Sequence, residues 1–124
     1  MKNQQIPFDG RNARRFIAVP LDEKASPEDA FSHPERFHIV EVSYDIALII
    51  GESAFAKKAF ETIDNYPIEP FEDPFFASED VESLLVCMKE WCPEKGSEEA
   101  KVFELAEGLL WEAQRRGVGI YFKF

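Results

Sequence analysis

Two helical periodicities in succession, followed by one strict alternation, fill the end of the chain, and this order restricts the fold more than any other feature. After Ser78, with Glu79 and Asp80 in the first turn, Val81, Leu84, Leu85, Met88 and Trp91 or Cys92 recur at i, i+3, i+4, i+7. That spacing predicts a helix with one apolar face, ended at Cys92-Pro93. Ser97 then caps a second helix, with Glu98 and Glu99 at its positive end, Arg115 and Arg116 at its negative end, and Gly117 as its stop. Val102, Leu105, Ala106, Leu109, Leu110 and Ala113 give it a broad apolar face. In V-G-I-Y-F-K-F, Val118, Ile120, Phe122 and Phe124 alternate with Gly119, Tyr121 and Lys123, which predicts a half-buried terminal strand.

Upstream, the patterns are shorter. R-F-I-A-V-P-L at 15–21 predicts an outer or early strand, since Pro20 cannot donate to a ladder. Ser26-Pro27-Glu28-Asp29 opens a short helix that Pro34 soon stops. Over 37–50, Val40, Val42, Tyr44, Ile46, Leu48 and Ile50 alternate with Glu41, Ser43 and Asp45, which favours one long or bent strand; a helix from Ser43 using Ile46, Ile49 and Ile50 is the rival. Ser53 caps a helix through Asp64 whose Phe55, Ala59, Phe60 and Ile63 share a face. Pro67, Pro70 and Pro74 exclude a helix or an interior strand from Tyr66 to Phe76 and leave an irregular, partly extended loop. The expected fold is α+β: a small, mostly antiparallel sheet of two to three strands packed by about four helices, in one domain over residues 1–124.

Charge is segregated along this chain. Residues 61–99 hold 12 Asp or Glu against Lys89 and Lys95, a balance of −10 that equals the net charge of the whole molecule, because the other segments cancel. Nucleic acid phosphates and anionic membrane surfaces repel such a protein, and basic partners are attracted to it. Arg11, Arg14 and Arg15 form a small basic cluster without periodic extension, expected at a solvated N-terminal edge. Twelve Phe, three Tyr and two Trp supply more ring surface than a disordered acidic tail carries. No apolar run reaches the ~18 residues of a membrane span, and the N-terminal segment lacks the apolar core of a secretory signal, so a cytoplasmic location is expected.

The best candidate for recognition is the acidic, Pro/Phe-rich loop at about 64–80. Asp64, Glu69, Glu72, Asp73, Glu79 and Asp80 would meet a basic partner, while Tyr66, Phe71, Phe75 and Phe76 would supply desolvated rings of the kind that dominate interface energy. Prolines would stiffen the loop and reduce the entropy lost on docking. In the competing arrangement the rings fold inward to pin the connection and only the acids meet water. His33, His38, Cys87 and Cys92 are residue types that zinc accepts, but cysteines five apart on a helix point about 140° from each other. Surface histidines and buried thiols are expected instead, and no metal. There is no nucleophile elbow, P-loop or dinucleotide fingerprint, so no cofactor and no catalytic residue is expected.

The acid-led helix, the second helix ending in R-R-G and the final V-G-I-Y-F-K-F strand are loosely similar to the C-terminal half of barstar-type nuclease inhibitors, without the strand those inhibitors place between the helices. The resemblance points to small acidic inhibitors as a class and transfers no residue. Together these features lead to an expected non-enzymatic protein that masks a basic surface on a protein partner, such as a toxin or nuclease, in the manner of an immunity protein, antitoxin or anti-defence inhibitor. The alternatives are a small enzyme or ligand-binding domain with a pocket between the sheet and the Phe-rich loop, and a homo-oligomer subunit whose C-terminal strand pairs with a copy of itself.

Overall fold

A computed structural model describes residues 14–26, 29–63, 67–69, 72 and 74–124. The first apolar run becomes β1 (Phe16–Pro20), and it is an inner strand rather than an outer one. On one side it pairs antiparallel with β2 (Phe37–Glu41) along its full length. On the other it pairs with β4 (Ile120–Lys123) only from Phe16 to Ala18. Pro20 is tolerated because it sits beyond the point where the second ladder stops. A fourth strand, β3 (Phe75–Phe76), completes the antiparallel order β2-β1-β4-β3, against the two or three strands expected.

β3 arises within the proline-rich stretch that the sequence assigns to an irregular loop. Its position on the sheet edge reconciles the two. The amides of Phe122 and Phe124 donate to the carbonyls of Pro74 and Glu72 at 3.0 and 3.3 Å. Proline lacks only a donor, so an edge segment that mainly accepts hydrogen bonds can contain it. β4 is consequently paired on both sides, and it is buried on both faces rather than half-buried. It offers no free edge to a second copy of the chain.

The 37–50 run is not one strand. β2 ends at Glu41, and α2 (Tyr44–Gly51) begins where the hydroxyl of Ser43 accepts from the Ile46 amide at 3.1 Å. The cap decides the competition, since it satisfies a helix donor that an extended chain would not present. α1 (Asp29–Ser32) is a single turn followed by a 3-10 turn at Pro34–Arg36. α3 (Ala54–Thr62) is capped by Ser53, and α5 (Glu98–Arg116) by Ser97, with Gly117 left-handed at φ 70° closing its end. α4 (Ser78–Met88) starts after Ala77 without a side-chain cap. Its last turns tighten into i to i−3 hydrogen bonds that carry the chain on to Trp91.

Helices of eight residues or more, α2 to α5, enclose one face of the sheet. Ile17, Val19, Ile120, Phe122, Phe124 and Phe76 point into this core with Leu84, Met88, Val102, Leu110 and Ala113. The alternate residues Phe16, Ala18, Phe37 and Tyr121 form a second cluster on the opposite face with Ala25 and Ala30. Arg15, expected at a solvated edge, is buried: its guanidinium lies over Tyr44 at 5.0 Å and reaches the Phe124 main-chain oxygen. Arg14 is exposed and pairs with Glu41, while Arg11 lies outside the described residues. Cys87 is buried, and burial pushes its thiol pKa up, against smaller lowering effects. Cys92, expected in the core, lies beyond the end of α4 and is exposed.

Candidate functional site

Small residues at the α2–α3 junction create a hollow on the surface. Gly51 ends α2, and Ala56 lies one turn into α3; neither has the bulk to fill the space beside the following chain. The resulting concavity, about 430 Å³, is lined also by Lys57, Phe60 and Glu61 of α3 and by Pro67, Ile68 and Glu69 of the connection that follows. Ile68 is 2% exposed and fixes this connection to the core, so Glu69 beside it is held at the rim. The Glu72 amide donates to the Glu69 carbonyl at 3.0 Å.

Phe60 separates this site from the rest of α3. The sequence groups it with Phe55, Ala59 and Ile63 on a core face; those three are buried, but Phe60 is 44% exposed. Phe60 instead stands five residues after Phe55, about 140° around the helix, which turns its ring toward solvent. Glu61 and Glu69 are exposed, and among the described residues neither carboxylate is in an ion pair. The hollow thus combines an apolar floor, one accessible ring, two carboxylates and Lys57, so the acids outnumber the cation and a long cationic side chain can lay its methylenes against the ring with its charge toward the acids.

The structure distributes the predicted partner-binding residues unevenly. Glu69 lines the hollow; Glu72 and Glu79 are exposed, and Asp80 is partly covered at the start of α4. Phe76 is fully buried and packs edge-on to Phe122 with centroids 5.9 Å apart. It is therefore a core ring and is unavailable to a partner, because the strand pairing of β3 turns it under the helices. Phe75 is half-buried and meets Tyr121 edge-on across the other face of the sheet. Asp64, Tyr66, Phe71 and Asp73 lie outside the described residues. Lys57, Phe60 and Glu61 of this lining were not among the partner-binding residues singled out from the sequence.

Outside the hollow, Glu79, Glu82 and Glu90 are exposed, as is Val86 between them at 57%. Acids of the 61–99 stretch that the structure describes are thus at the surface, with Asp80 the one partly covered. Glu99 also accepts from the Trp91 indole at 2.9 Å, which ties the start of α5 to the turn after α4. A smaller hollow, about 140 Å³, lies between the sheet end and Phe75.

A second polar group of residues joins β2 to α5. His38 Nδ1 lies 2.7 Å from Glu112 Oε1, and Arg116 Nε donates to Glu112 Oε2 at 3.0 Å. Burial raises the Glu112 pKa, but the hydrogen bonds and charges of His38 and Arg116 outweigh it and hold the carboxyl below its ordinary value. His33 is instead beside Glu35. Among the described residues, no three histidine, cysteine or carboxylate side chains cluster as a metal site would require, and no helix is long and apolar enough to cross a membrane. Compared with known proteins, the chain matches no protein-family model, no curated protein and no solved structure.

Proposed function

We propose that this is a non-enzymatic acidic binding protein that masks a basic surface of a protein partner, in the manner of an immunity protein, antitoxin or anti-defence inhibitor. The observation that carries this reading is the hollow beside α3, where an accessible aromatic ring stands with two carboxylates against one lysine, Lys57, and neither carboxylate is in an ion pair among the described residues. A partner's arginine or lysine seats there, over Phe60 and between Glu61 and Glu69. The surrounding charge speeds encounter: a net −10 on 14.3 kDa steers cationic surfaces toward the molecule through a field screened over about 10 Å at 0.1 M salt. Phe76 has no part in the contact.

Calorimetric titration with an arginine-rich peptide tests the reading. The paired reversal Glu61→Lys/Glu69→Lys is compared with Glu82→Lys/Glu90→Lys, which changes net charge equally elsewhere. The first weakens binding at least tenfold more than the second, and the wild-type affinity falls with salt. Equal losses from the two pairs, or affinity indifferent to salt, would contradict it.

A further inference from the structure

At the C-terminal end of α5, where Arg115 and Arg116 offset the negative end of the helix dipole, lies a second concavity that shares no residue with the hollow beside α3. His38 on β2 and Glu112, Arg115 and Arg116 on α5 line a concavity of about 490 Å³. Two of these four side chains are arginines and a third is a histidine, in a molecule of net charge −10. The single carboxylate among them does not oppose an incoming anion with a free face. One oxygen of Glu112 is turned to His38 and the other to Arg116, and its side chain is 14% exposed. Arg115 is exposed and in no ion pair among the described residues.

The same contacts pre-orient the recognition groups. Holding Nδ1 of His38 against a carboxylate leaves Nε2 as the ring's remaining nitrogen, in a ring whose orientation is set. Arg116 spends Nε on Glu112 and keeps its terminal nitrogens as donors, since a guanidinium carries five N–H groups. Arg115 adds a complete guanidinium. Planar donors of this kind match the oxygen geometry of phosphoryl groups.

We propose that this concavity binds a phosphoryl dianion through Arg115 and Arg116, with Glu112 as the residue that positions Arg116 and His38; Nε2 of His38 adds a third donor only in the imidazolium form, since in the neutral ring the one N–H is given to Glu112. The ligand is either free phosphate or a phosphate monoester, and the chemistry of the site is the same for both.

The test is a titration of isotope-labelled protein with inorganic phosphate and, in parallel, with O-phosphoserine, each at ionic strength held constant with chloride. Saturable shifts are expected in the His38 ring signals and the Arg115 and Arg116 side-chain signals. Saturation with both ligands identifies the phosphoryl group alone as sufficient; saturation with O-phosphoserine only identifies the monoester. Arg115→Gln, at an exposed position outside the His38–Glu112–Arg116 contacts, weakens affinity about tenfold and leaves the His38 signals of the unliganded protein unchanged. Shifts that fail to saturate, that chloride reproduces, or that persist undiminished in Arg115→Gln would overturn the proposal.

Discussion

Arg15 Nε donates to the main-chain oxygen of Phe124 at 3.0 Å, joining the residue before β1 to the residue after β4. Both residues are buried, and the Phe124 ring packs edge-on to Phe122 at 5.6 Å. The bond closes the middle of the sheet at one end, so damage on either side should be felt globally. Phe124→Ala is expected to cost about 3 kcal/mol through the cavity it leaves, and Arg15→Ala about 2 kcal/mol. Urea unfolding midpoints measure both; an unchanged midpoint for either variant would contradict this role.

Gly119 fits β4 only because it lacks a side chain. A Cβ there would collide with the carbonyl oxygen of Phe76 on β3 and crowd the Phe75 ring. Backbone cannot yield as a flexible side chain can, so Gly119→Ala is expected to destabilise by about 2 kcal/mol and to loosen β3. Hydrogen exchange at the Phe122 and Phe124 amides, which donate to the β3 segment, should accelerate more than exchange in α5. Uniform acceleration would place the damage elsewhere.

Ser43 determines where β2 gives way to α2. Its hydroxyl is the N-cap acceptor, and Ser43→Ala should cost about 1 kcal/mol, whereas Ser43→Asp should be tolerated because Asp also caps. Thermal unfolding of the pair checks this, with equal losses from the two variants as the contrary result.

These sites show what could be read from the residues and what could not. Ser53 and Ser97 cap where hydroxyls precede apolar periodicity, and Gly117 closes α5, because caps and stops are local chemistry. The 37–50 run misled because apolar residues at every second position also include i, i+4 partners, so Ile46 and Ile50 satisfy both periods; only the Ser43 cap separates them. β3 was hidden because prolines read as loop, and nothing local reveals that β4 needs acceptors at its second edge. Phe76 and Phe60 exchanged roles for the same reason: which ring faces water depended on how α3 and β3 pack, which is a tertiary matter.

Glu112 makes stability depend on acid. Its folded pKa lies below the ordinary value, so its contribution is fully present above the unfolded carboxyl pKa, about 4.3, and is lost as pH falls through the lower folded value. Glu112→Gln should cost about 1 kcal/mol at neutral pH and nearly nothing at the acid end, where wild type has lost the same contribution. Stability measured against pH for both proteins checks the sign; curves that stay parallel into acid would contradict it.

The hollow beside α3 is the centre of the functional account, and the most direct measurement is a residue-resolved one. Isotope-labelled protein is titrated with a short peptide containing one arginine among neutral residues, at low and physiological salt. The account predicts that the ring signals of Phe60 and the amide signals of Glu61, Ile68 and Glu69 shift first and saturate, and that Phe60→Ala abolishes the saturation without unfolding the protein. Shifts spread evenly over Glu79, Glu82, Glu90 and the other surface acids, with Phe60 unmoved, would contradict it.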